Sequence, residues 1–201
     1  MKFIGITGGV GAGKSAILSY LDQKPDIRVM LADEIAHELM KKGTSCYDKI
    51  LAAFKNADIL DASGEFDRGK LAFVIFSDEK KREKMNGIVH PAVKEYVEEQ
   101  YRIEREKGQL SCLFLEAALL IEEHYDEICD ELWYIYTSEE NRRGRLKESR
   151  GYSDEKIDGI FASQLKEEEY RRHCRVVIDN NSGLDNTYLQ IEKALRRGAY
   201  E

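Results

Sequence analysis

The octapeptide Gly8-Gly9-Val10-Gly11-Ala12-Gly13-Lys14-Ser15 fits the pattern G-x-x-x-x-G-K-[ST]. Phe3, Ile4 and Ile6 form a short β-prone run before it, and Ser15 to Leu21 continues with helix-compatible residues after it. Strand, glycine loop and helix in that order is the context that gives the pattern its meaning. Glycines let the loop curl so that successive backbone N–H groups point inward at phosphate oxygens, and the helix adds its positive amino end. Lys14 is then placed to reach the β- and γ-phosphates. Ser15 offers a hydroxyl to Mg²⁺, a hard cation that keeps several waters and leans on phosphate oxygens. The bland alternative, an ordinary glycine-rich turn, does not explain why the loop sits between a strand and a helix.

Further short apolar runs occur at 28–31, 111–115, 132–136 and 176–178, and none alternates cleanly, as expected of strands covered on both faces. Between them the spacing turns helical: Tyr47, Ile50, Leu51 and Phe54; Val89, Val93, Tyr96 and Val97; Ile157, Ile160, Phe161, Gln164 and Leu165; Leu184, Tyr188, Ile191 and Leu195. Thr137 followed by Glu140 has the form of a capping box that starts a helix through about residue 148. Five buried strands alternating with helices predict an α/β protein with a mostly parallel sheet. The gap between the second and third strands is too long for one crossover, so a helical insertion is placed at 34–108. With 201 residues, two prolines and no linker or repeat, one domain carrying an insertion is expected.

The charge balance narrows the partners. Lys and Arg number 31 against 38 Asp and Glu, a formal net charge of −7, which argues against an extended basic surface for nucleic acid or anionic membrane. Cys46, Cys112, Cys129 and Cys174 are widely separated and His37, His90, His124 and His173 show no paired spacing, so neither a disulfide framework nor a zinc site is suggested. No apolar stretch reaches the length of a membrane span, and the opening residues carry glycines where a signal peptide needs a greasy core, so a cytoplasmic protein is expected. A GTP switch needs a late N-K-x-D; Gln23-Lys24-Pro25-Asp26 lies too early and lacks the Asn, and Asp61-Ala62-Ser63-Gly64 reads as a polar turn.

Carboxylates at strand ends are the next candidates. Val29-Met30-Leu31-Ala32-Asp33 ends a strand with an acid, where parallel sheets face their ligand crevice. Asp33 there can accept the proton of an attacking hydroxyl or hold Mg²⁺ through water; its rival role is a helix N-cap. Glu116 follows the third strand in the same way. Asn141 to Arg150 is a basic stretch suited to closing over phosphates, or else a solvated helix face. His90-Pro91 reads as a turn or a proline-tolerant helix start.

Gly5-Ile6-Thr7-Gly8-Gly9-Val10-Gly11-Ala12-Gly13-Lys14-Ser15, Ala32-Asp33, His90-Pro91, Leu119-Leu120-Ile121-Glu122, Arg145-Leu146, Gln164 and Val177-Ile178-Asp179-Asn180 together resemble the dephospho-CoA kinase family in order and approximate spacing over nearly the whole chain. The resemblance implies transfer of a phosphoryl group from ATP, with Mg²⁺, to the ribose 3′-hydroxyl of dephospho-CoA, the last step of coenzyme A biosynthesis. It implies a P-loop NTPase fold of the nucleoside-monophosphate-kinase type: core 1–33, 109–137 and 169–201, a CoA-binding insertion at 34–108 and a lid at 138–168. Carried over position by position, Asp33 is the acidic residue that activates the hydroxyl, with Lys14 and the lid residue Arg145 also catalytic. Gly9, Gly11, Ala12, Gly13, Lys14, Ser15 and Ala16 bind ATP, and Ser15 meets the metal. Partners are ATP and dephospho-CoA, with no nucleic acid and no membrane, and the sequence is compatible with a monomer. The chain departs from the family pattern in four places. Leu31 stands for the first acid of D-x-D, Ala118 for the proline of P-L-L and Ala16 for Thr, and Arg150 lies one residue farther from Arg145 than usual. A nucleoside or nucleotide kinase of similar fold, or a nucleotide switch without turnover, are the alternatives that remain open on the residues alone.

Overall fold

In a computed structural model, residues 1–197 are described. The last four positions of the core segment 169–201 lie outside them. The element order is β1 (Lys2–Thr7), α1 (Lys14–Asp22), β2 (Ile27–Leu31), α2 (Ala32–Leu39), α3 (Ser45–Ala53), α4 (Arg68–Phe76), α5 (Glu79–Lys107), β3 (Cys112–Glu116), β4 (Glu131–Tyr136), α6 (Glu139–Arg150), α7 (Asp154–Ala162), α8 (Glu167–His173), β5 (Val176–Asp179) and α9 (Leu184–Arg197). The five strands stand in the order β2-β3-β1-β4-β5. β1 pairs in parallel with β3 and with β4, and β4 in parallel with β5. A parallel sheet covered on both faces needs strands apolar throughout, and β1 and β3 are buried along almost their whole length.

The chain divides into two compact units, residues 1–30 with 104–201, and residues 31–103. In the first, Phe114 and Trp133 from β3 and β4 meet edge to face at 5.3 Å, and Tyr134 stacks on Tyr170 of α8 at 4.8 Å. Tyr20 of α1 stacks on Tyr188 of α9 at 4.0 Å and donates to Glu192, which also pairs with Lys24 at 2.6 Å. In the second, Thr44 caps α3 by accepting from the Tyr47 amide and Asp67 caps α4 by accepting from that of Lys70. Asp61 to Gly64 is the polar turn expected, its Asp61 Oδ1 accepting from the amides of Ser63 and Glu65. All four cysteines are buried free thiols, and burial pushes Cys174 up to about 12. No described helix is long and apolar enough to cross a membrane.

Three local expectations are corrected. Ser138, not Thr137, caps α6, its hydroxyl accepting from the Asn141 amide. Thr137 is buried instead, and its hydroxyl lies against two carbonyls, which removes it from the cap. His90-Pro91 lies neither in a turn nor at a helix start but inside the 29-residue α5. The carbonyl that the Pro91 ring would crowd belongs to Gly87, where the backbone is freest to tilt. The stripe that ends on Gln164 and Leu165 outruns α7, which stops at Ala162.

Candidate functional site

The loop between β1 and α1 takes its shape from its glycines. Gly11 and Gly13 have φ of 83° and 86°, a region that side chains with a Cβ rarely occupy, and Gly13 is the residue from which α1 starts. Thereafter Lys14 and Ser15 open the helix, with Ser15 exposed in its first turn and Ala16 next to it. The Ala12 amide returns to the Gly9 carbonyl at 3.0 Å, closing the loop on itself. Lys14 folds back so that its Nζ donates to the Gly8 carbonyl at 2.7 Å and lies 3.5 Å from Glu116 Oε1 at the end of β3. A lysine in that posture stands at the rim of its own loop with a carboxylate beside it.

The loop is braced from the ends of β4 and β5. The buried Ala12 carbonyl accepts from Asn180 Nδ2 at 2.7 Å, from Thr137 Oγ1 at 3.1 Å and from Arg145 Nη1 at 3.2 Å. Arg145 Nη2 also donates to the Asn180 carbonyl at 2.7 Å, and Asn180 is in turn held by Thr187 Oγ1 at 2.9 Å. On the other side of the loop Arg142 Nε donates to the Val10 carbonyl at 2.9 Å, and the same guanidinium donates to the Gln164 amide oxygen. Burial lowers the pKa of Arg142. Arg150, at the carboxyl end of α6, lies over the Tyr152 ring at 5.9 Å.

Lys14, Ser15, Glu116 and Arg145 therefore lie in or against one loop. Asp33 belongs to the second unit, in the first turn of α2. Leu31, not Asp33, holds the N-cap position of that helix, which removes the capping role weighed for it. Its carboxylate is exposed, and no hydrogen bond or ion pair engages it among the described residues. Sequence reasoning gave no role to Thr137, Asn180 or Arg142 in shaping the loop. Asn180 had a signal, a polar residue just past a strand, but its partner is a backbone carbonyl that no side-chain pattern reveals.

No cluster of three or more His, Cys, Asp or Glu among the described residues can hold a metal. Mg²⁺ does not need one: it takes one or two protein oxygens and fills its octahedron with water and phosphate, which suits an exposed Ser15 hydroxyl with Glu116 near the same loop.

Comparison with known proteins converges. The family model described as dephospho-CoA kinase matches residues 2–186. A dephospho-CoA kinase of Shouchella clausii is 33% identical over 198 residues, covering 98% of this chain and 99% of the relative. One from Streptococcus mutans is 35% identical over 200 residues, covering 98% and 97%. Among solved structures, a Thermus thermophilus protein superposes with a TM-score of 0.77 at 26% identity, over 98% of this chain and 97% of its own. A shikimate kinase of Acinetobacter baumannii, 14% identical with a TM-score of 0.56 over 100% of this chain and 95% of its own, shares the fold.

Proposed function

This chain belongs to the dephospho-CoA kinase family and is an ATP-dependent kinase that phosphorylates dephospho-CoA in coenzyme A biosynthesis, and we propose that Gly9 to Ala16 bind the ATP, Asp33 activates the ribose 3′-hydroxyl and Arg145 serves as a lid arginine. The observation that carries this reading is the loop itself: left-handed glycines, a helix start at Gly13 and a lysine at the rim. Inward-facing amides hold the phosphates, and Lys14 leaves the Gly8 carbonyl to meet them. Mg²⁺, generally required by ATP-using kinases of this fold, would be held by Ser15. When bound it neutralises charge on the terminal phosphate oxygens.

Asp33 suits a general base because its carboxylate is exposed and engaged by no neighbour. Leu31, in place of an acid, leaves Asp33 alone to carry that step. Arg145, set between the Ala12 and Asn180 carbonyls, holds positive charge against the loop. The segment 138–168 is read as the lid that keeps water from the terminal phosphate, the segment 34–108 as the acceptor-binding insertion, and the setting as cytoplasmic. A coupled ADP-release assay tests the reading. Turnover with dephospho-CoA well above that with adenosine or nucleoside monophosphates is expected; preference for either of the latter refutes the acceptor, and nucleotide binding without turnover refutes the chemistry.

A further inference from the structure

Several arginines of the first unit are neutralised by carboxylates. Arg143 pairs with Asp154 at 2.9 Å and Asp158 at 2.5 Å, Arg171 with Glu167 at 2.6 Å and Arg172 with Glu169 at 2.5 Å. Arg142 is built differently. Its hydrogen-bond partners are the Val10 carbonyl and the Gln164 amide oxygen, both neutral, and its plane lies over the Phe161 ring with Cζ 4.3 Å from the centroid. No carboxylate among the described residues pairs with it, and Glu139 acts on it only through space. Half-buried charge without a counter-ion is costly, and it is more readily maintained where an anion arrives to compensate it.

The position of the guanidinium says which anion. A Cβ placed on Gly9 would lie 2.3 Å from Arg142 Cζ, so the cation presses on the loop at the one residue whose missing side chain lets it in. Arg145, one turn further along α6, attends to Ala12 and Asn180 instead. The two arginines thus address different parts of the loop. A carboxylate in the place of Gln164 would neutralise Arg142 but repel a polyphosphate, whereas an amide oxygen orients the guanidinium and leaves its charge available.

We propose that Arg142 binds the terminal phosphate of ATP from the Gly9–Val10 side of the loop, with Gln164 and Phe161 as positioning residues that hold its plane. The inference rests on the reading of Gly8 to Ser15 as the ATP cradle. Titration calorimetry of Arg142→Gln with MgATP and with MgADP tests it, because a merely structural arginine would move both affinities alike. The expected result is a loss of about 10–100-fold for MgATP, with MgADP changed by less than about 3-fold, a shift too small for the loss of a charged hydrogen bond. Gln164→Ala moves the same ratio in the same direction by a smaller factor. Equal losses for the two nucleotides, or unchanged binding of both, overturn the proposal. Wild-type protein that binds neither nucleotide overturns the cradle itself and is thereby told apart. If circular dichroism shows Arg142→Gln unfolded, Arg142→Lys replaces it. That variant keeps the charge but loses the fork, so a fall in the ATP-to-ADP preference is again required and its absence is fatal.

Discussion

Gly13 and Asp33 represent two kinds of demand on a single position. At Gly13 the backbone has φ of 86°, and a Cβ would stand 2.5 Å from Asn180 Nδ2, the amide that braces the Ala12 carbonyl. Gly13→Ala is expected to cost about 1–3 kcal/mol in denaturant unfolding and to weaken MgATP binding, since both the turn and its brace must shift. A variant as stable as wild type with unchanged nucleotide affinity would contradict that account. Asp33 is exposed, and no hydrogen bond or ion pair among the described residues engages it, so folding places little demand on its side chain. Asp33→Asn should leave thermal stability and MgATP affinity nearly intact while cutting turnover by roughly 10²–10⁴-fold; near-normal turnover would remove Asp33 from the base role. At this scale the letters of the loop were legible because glycine and lysine are there for reasons of local geometry. The bracing residues were not, since Asn180 is 168 positions from the carbonyl it holds.

Between β4 and α6 two adjacent hydroxyls divide the labour. Ser138 accepts from the Asn141 amide and caps the helix, whereas Thr137 is buried against the Ala12 and Asn180 carbonyls. Removing the cap by Ser138→Ala is expected to cost about 0.5–2 kcal/mol of stability with little change in nucleotide affinity. Thr137→Val keeps the shape but removes the donor from the loop, so it should weaken MgATP binding more than its effect on the melting temperature implies. The reverse assignment of effects in paired melting and calorimetry experiments would show that the capping pattern starting at Thr137 was correct after all. Strands and helices were readable here because burial on both faces and a 3.6-residue stripe leave marks on composition. Their ends were harder to read, because a cap is decided by which of two neighbouring hydroxyls the rest of the fold has already engaged. Pro91 shows the same limit, since an interior position in α5 goes against proline's local preference.

Across the whole molecule, α1 and α9 are joined by Tyr20, Lys24 and Glu192. The hydrogen bond from Lys24, then that from Tyr20, holds the Glu192 carboxyl below the usual glutamate range, while both partners are raised by it. A carboxyl lowered in the folded state is protonated first in the unfolded chain as pH falls. The stability it supplies is therefore present above the unfolded value of about 4.3 and disappears as pH drops through the lower folded value. The difference in melting temperature between wild type and Glu192→Gln should stay level from neutral pH down to the carboxylate range and then close. A gap that widens under acid would reverse the sign of the argument. The five parallel strands could be foreseen from alternating segment types alone, but this junction could not, because the stripe that holds Tyr188 does not say that its partner is Tyr20, and Lys24 and Glu192 individually look like surface residues.

The carbonyl of Ala12 gathers donors from Thr137, Arg145 and Asn180. During synthesis on the ribosome the glycine turn is thus made early but receives its last support only when β5 and the residue beyond it have emerged. A nascent polypeptide halted before that point should carry the complete motif and yet fail to retain nucleotide, so capture of stalled chains on immobilised ATP would begin abruptly once Asn180 clears the exit tunnel.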